Sequence, residues 1–179
     1  TIASSQSMKD TETLTSTDGN FTLGFFTPHN SRNRYVGIWW KSQSTVVWVA
    51  NRNQPLNDSS GIVTISEDGN LVVLNGHKQV IWSTNVSNTS FNTSSQLSDS
   101  GKLVLAETTT GNILWDSFQQ PSNTLLPGMK LSINRSSGKK VELTSWKSPY
   151  NPSVGSFSCS LVDMRPAYGP FQASQSQNH

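Results

Sequence analysis

An all-β fold, with three small antiparallel sheets set in pseudo-threefold fashion around a Trp-rich core, is predicted by three observations. A nine-residue pattern stands at 16–24 (STDGNFTLG), 66–74 (SEDGNLVVL) and 98–106 (SDSGKLVLA). Tryptophans recur at Trp48, Trp82 and Trp115, spaced 34 and 33 residues apart. No long segment repeats its apolar residues at the helical period of about 3.6.

The elements follow in order. Each copy is aligned on its glycine (Gly19, Gly69, Gly101), preceded by Asp or Ser and followed by alternation. An Asp-Gly step opening such a run is a hairpin signal. The unit is therefore strand, turn, strand and then a Trp-bearing strand, and three units cover roughly 11–120. Units this short cannot each bury a face alone, so they must pack together. Alternation sends Leu71 and Val73 to the core, and Asp68, Asn70, Val72 and Leu74 to a shallow groove or to solvent. Trp39, Trp48, Trp82 and Trp115 are expected in the core. Trp40, directly after Trp39, falls on the opposite face as a candidate stacking platform for a sugar or a partner. The Asn51-Arg52-Asn53 step reads as a polar turn in which Arg52 braces backbone carbonyls. Residues 117–131, with two prolines, read as an irregular packed arm. Residues 1–130 are thus one domain and 131–140 a polar linker. Strand character resumes over 141–163, as the opening of a truncated second domain. The polar, patternless 164–179 is expected to be disordered. Residues 141–163 either pack back on the first domain or stay mobile, so deleting 141–179 is expected to change the melting temperature little.

Composition narrows the function. Hydrophobic residues make up 33% of the 179, but six Trp and seven Phe bury a large area each. Net charge is +2 with scattered Lys and Arg, which speaks against a nucleic-acid stripe. No run of 18 apolar residues occurs. Sequons stand at Asn20, Asn57, Asn85, Asn88, Asn92 and Asn134, and six together favour a secretory route. Cys159 is the one cysteine. No catalytic triad, paired-carboxylate site, metal cluster or cofactor motif is found, so an enzyme is not indicated.

The nine-residue copies resemble the Gln-x-Asp-x-Asn-x-Val-x-Tyr motif that bulb-type, monocot mannose-binding lectins carry three times in a β-prism II fold. Longer segments (GNFTLGFF, NRYVGIWW, VVWVANRNQPL, LWDSFQQPSNTLLPGMKL and TSWKSPYNPSVGSFS) are similar to the ectodomains of plant G-type lectin S-receptor-like kinases and S-locus glycoproteins. The resemblance covers the first lectin-like domain and the opening strands of the second. It implies an extracellular domain at the apoplastic face of the plasma membrane, in pollen-recognition or defence signalling. The transmembrane helix and the kinase would lie outside this chain. Protein or peptide ligands and a co-receptor or dimer partner would accompany any glycan.

The motif's chemistry tests each copy. Amides and carboxylates supply paired donors and acceptors to sugar hydroxyls, and Val packs a ring carbon. Copy 66–74 keeps Asp68, Asn70 and Val72, with Ser66 for Gln and Leu74 for Tyr. Copy 16–24 keeps Asp18 and Asn20, and Asn20 is also a sequon. Copy 98–106 keeps Val104 alone. A shallow one-sugar site starts near millimolar, roughly −4 kcal/mol. Two lost hydrogen bonds at about 0.5–1.5 kcal/mol each leave tens of millimolar or worse. Asp68 and Asn70 either cap the Asp-Gly turn or keep a residual sugar contact. The expectation is a largely degenerate mannose site, the alternative an active lectin through 66–74.

Overall fold

The turn-and-strand units fold into three four-stranded antiparallel sheets, in a computed structural model that describes residues 1–87 and 92–161. Three short strands come first: β1 (Ile2–Ala3), β2 (Ser7–Lys9) and β3 (Thr13–Thr15). β4 (Phe21–Phe26), β5 (Tyr35–Trp40) and β6 (Val46–Val49) follow. Then come β7 (Ile62–Ile65), β8 (Leu71–Leu74) and β9 (Val80–Ser83). β10 (Thr93–Leu97), β11 (Leu103–Glu107) and β12 (Ile113–Asp116) complete the set. The sheet orders are β3-β4-β5-β6, β2-β7-β8-β9 and β1-β10-β11-β12. The N-terminal segment therefore supplies an edge strand to each sheet in turn.

The inner faces meet in one apolar core that includes Leu23, Ile38, Leu71, Val73, Leu103 and Leu105. At its centre Trp48, Trp82 and Trp115 form a triangle of edge-to-face pairs, with centroids 5.7, 6.0 and 5.7 Å apart. Such pairs add about 0.5–1.5 kcal/mol beyond their buried area. The threefold register is close. Trp48 pairs with Ile38, Trp82 with Val73 and Trp115 with Leu105, and each pair is followed by a register shift. A buried polar residue beyond each Trp then caps the third strand. Asn51 Oδ1 accepts from Val36 N–H at 2.8 Å, Thr84 Oγ1 from Leu71 N–H at 3.2 Å, and Ser117 Oγ from Leu103 N–H at 3.0 Å.

This register corrects the one expected from glycine alignment. The 16–24 turn joins β3 to β4, the first and second strands of its sheet. The 66–74 and 98–106 turns join second to third strands. The stretch standing where those two stand is 31–39, so Tyr35, Gly37 and Trp39 occupy the places of Asn70, Val72 and Leu74. An Asp-Gly turn is a local signal, and it formed a similar loop one strand too early.

The remaining residues add a cover. After a single 3₁₀ turn (Ser117–Gln119) the arm lies on the core, where Trp48 Nε1 donates to the Gln120 carbonyl at 2.9 Å. The expected linker folds as a small hairpin, β13 (Ser132–Ile133) with β14 (Lys140–Val141). β15 (Leu143–Ser148) and β16 (Asn151–Cys159) form a second hairpin. It packs on the outer face of the first sheet, where Phe26, Tyr35, Trp39 and Val49 cluster with Trp146. Trp39 is thus buried, but on the far side of its sheet from the Trp triangle. Arg52 fastens the hairpin as a brace of backbone carbonyls. It donates to Pro152 O (2.8 Å), Thr144 O (3.2 Å), Ser145 O (2.9 Å) and Thr144 Oγ1 (2.7 Å). Thr144 N–H donates to Ser122 O at 2.8 Å, and Val154 N–H to Asn53 Oδ1 at 3.1 Å. Asn88 and the tail 164–179 lie outside the described residues.

Candidate functional site

Each nine-residue copy opens on a serine that closes its own turn. In 66–74, Gly69 N–H donates to Ser66 O at 2.9 Å and Ser66 N–H to Asn70 O at 2.8 Å. Gly69 sits at φ 79°, a backbone that glycine adopts without steric cost. The Ser66 hydroxyl bonds the Asp68 carboxylate, which also accepts from Asn70 N–H at 3.2 Å. These bonds, the serine's first, hold the exposed Asp68 carboxyl below its ordinary pKa. Asp68 is therefore an Asx-turn cap.

Asn70 is only 4% exposed. Its Oδ1 accepts from Thr84 Oγ1 at 2.8 Å and from Val86 N–H at 2.7 Å, and its Nδ2 donates to Val86 O at 3.2 Å. The Asn70 side chain also bonds the Asp68 carboxylate, which helps to lower that group's pKa. Val72 is 2% exposed. The expected groove-lining set is thus split: Asp68 reaches solvent, while Asn70 and Val72 are buried. The chain beyond Trp82 returns across β8, tied by Thr84 N–H to Leu71 O at 3.0 Å. Sequence reasoning did not find Thr84 or Val86. The only signal was a polar residue a few positions after each Trp.

The other copies are likewise bonded internally. The Asp18 carboxylate accepts from Ser16 Oγ (2.7 Å), Asn20 N–H (3.0 Å) and Asn20 Nδ2 (2.5 Å). With Ser16 the leading cause, its pKa falls from 3.8 to about 2. Asp18 N–H donates to Asp99 Oδ1 at 3.0 Å, joining the first turn to the third. In 98–106, Ser98 and Ser100 hydroxyls bond at 2.8 Å, and Lys102 Nζ lies 5.8 Å from the Phe118 ring. Val104 is half-buried.

Trp40 is 42% exposed, as alternation with Trp39 implied, and Lys41 Nζ sits 4.6 Å over its ring. Of the sequons, Asn57, Asn85, Asn92 and Asn134 are exposed and Asn20 is half-buried. Among the described residues no group of three or more His, Cys, Asp or Glu is placed to hold a metal ion. No helix among them is long and apolar enough to cross a membrane.

Comparison with known proteins agrees with this geometry. A family model described as D-mannose binding lectin matches residues 45–147. A G-type lectin S-receptor-like serine/threonine-protein kinase of Arabidopsis thaliana is 49% identical over 160 residues, covering 87% of this chain and 20% of that protein. A second from the same plant is 48% identical over 172 residues, covering 91% of this chain and 20% of its own length. The chain spans about a fifth of the length of the curated relatives it matches. Among solved structures, a monomeric monocot mannose-binding lectin from Gastrodia elata superposes with a TM-score of 0.51 at 19% identity, over 65% of this chain and 94% of that one. The fold is the β-prism II of bulb-type lectins.

Proposed function

This chain belongs to the D-mannose binding lectin family, and on that premise we propose that it is the extracellular recognition domain of a plant receptor-like kinase or secreted S-locus-type glycoprotein, with its three motif copies kept as architecture. The observation that carries this is the Asn70 carboxamide, buried and bonded to Thr84 and Val86 where a lectin would spend it on sugar hydroxyls. Asp68 and Asp18, bonded within their own turns, support the same conclusion. Asp68, Asn70 and Val72 are proposed as remnants of a binding surface, with glycans as weak ligands at most through them, whereas Asp18 and Asn20, in the lookalike turn between β3 and β4, are proposed as turn caps alone. The proposed division is a lectin domain over 1–130, a connecting segment over 131–140 and the opening of a second domain over 141–163. Pollen-recognition or defence signalling, with a kinase outside this chain, belongs to the same proposal, as do glycans on the exposed sequons.

Titration with methyl α-mannoside, followed by amide NMR, tests it. The 68–72 amides should show no saturable shift below about 10 mM, the range left by the lost hydrogen bonds. Saturation below that concentration, abolished by Asp68→Ala, would restore 66–74 as a working lectin site.

A further inference from the structure

The hairpin β15–β16 covers the outer face of the first sheet but does not seal its margin. A cleft of about 380 Å³ remains there, lined by Phe26, Val46, Trp146, Asn123, Gln43 and His29 among others. We propose that this cleft is a saccharide-binding site for one or two neutral sugar residues, separate from all three motif copies. It goes beyond the proposed recognition role by naming where a glycan is read.

Four features point to that ligand. The first is a fixed aromatic platform. Trp146 stacks on Phe26 with ring centroids 6.4 Å apart at 23°, and its Nε1 donates to Asn123 Oδ1 at 2.9 Å. A half-buried indole held at two points keeps its remaining surface for a ligand, and the CH-rich face of a pyranose suits such a surface. The second is amide capacity. The indole N–H fixes the Asn123 amide with Oδ1 toward Trp146, the Ser122 hydroxyl being shared between that oxygen and Val47 O, and leaves the Nδ2 hydrogens without a partner among the described residues. Gln43 has no hydrogen bond among them either, so both its donor and acceptor ends are open. A carboxamide offers that donor–acceptor pair to adjacent sugar hydroxyls. The third is the absence of formal charge. No Asp, Glu, Lys or Arg lines the cleft, and His29, 6.1 Å from the Tyr150 ring, is the titratable residue in its lining. A neutral ligand enters without an uncompensated desolvation. The fourth is size. The volume lies near the lower end of the roughly 300–1,000 Å³ typical of small-molecule sites, and apolar and polar side chains line it in equal number.

The test uses the chain described here and three probes: methyl α-mannoside, methyl β-glucoside and methyl β-galactoside, followed by the Trp146 indole N–H resonance. A multivalent array of neutral oligosaccharides raises weak binding to a readable level. The expected result is a saturable shift of the Trp146 signal with at least one probe, and array binding to glycans containing that sugar. Gln43→Ala should weaken it about two- to tenfold, the effect of one neutral hydrogen bond, without moving the melting temperature. Asn123→Ala should weaken it further, because the indole loses its anchor. Asp68→Ala should leave it unchanged. A silent Trp146 signal and a blank array from folded protein overturn the cleft proposal and leave the reading of the motif copies intact. Undiminished binding in Gln43→Ala and Asn123→Ala also overturns it. Binding lost in Asp68→Ala instead overturns both.

Discussion

Asp18 and Arg52 show how single side chains hold this architecture. Asp18 is stabilised as a carboxylate by Ser16 and by both nitrogens of Asn20, which lowers its pKa to about 2. A depressed folded pKa means that the ionised form supports the turn. That support is complete above about pH 4 and fades as the pH falls through about 2. A carbon-detected NMR titration should place the Asp18 midpoint near 2, and Ser16→Ala should move it upward. Arg52 is half-buried, and burial lowers its pKa from the ordinary guanidinium value. Arg52→Ala would orphan three carbonyls and should cost about 2–3 kcal/mol. For a chain of this size that is roughly 4–12 °C of melting temperature, with faster amide exchange in the hairpin it clamps. Both roles were partly legible beforehand, because an Asp-Gly step and an Asn-Arg-Asn step advertise turns. The fate of Asn70 was not, since its partners lie 14 and 16 residues away and nothing local announces them.

Among the elements, the Trp triangle and the C-terminal hairpin make opposite lessons. The Trp spacing of 34 and 33 residues was visible in the sequence, and the triangle follows from it. Its members are not energetically equal. Trp48 Nε1 donates to Gln120 O, whereas the buried Trp115 Nε1 has no partner among the described residues. Trp48→Phe should therefore destabilise more than Trp115→Phe, by about 1 kcal/mol in denaturant melts, although both lose similar volume. The hairpin's importance was not visible, because 141–163 resembled an interrupted start to something else. The hairpin takes the first of the two expected courses and packs back on the first domain, and the extent of that packing argues for a larger effect of its removal than the small one expected. Removing 141–179 would expose Phe26, Tyr35, Trp39 and Val49 and strip Arg52 of its acceptors. The melting temperature should fall by roughly 10–20 °C, with increased binding of a hydrophobic dye; a smaller fall would mean the face is covered by other means.

Across the whole molecule, three sheets of common design have diverged. The second and third keep the nine-residue turn at the symmetric place. The first puts an aromatic cluster there, and Gly37 stands opposite the Phe26 ring because a Cβ would come within 2.7 Å of it. The all-β class, the three main sheets and their Trp-centred core were readable from pattern alone, since period-two alternation and Trp spacing are properties of the chain itself. The symmetry mate of the first sheet was not, because its turn had lost the Asp-Gly signature while a lookalike kept it. The N-terminal strap has a consequence in time rather than space. Thr13 pairs with Gly24, Ser7 with Thr64 and Ile2 with Ser95. A ribosome making about 5–20 residues per second releases the first and last of those partners roughly 4–14 s apart. This segment is therefore zipped backwards, and β1, the earliest of its three strands, waits unpaired and open to chaperones until the third sheet emerges to receive it.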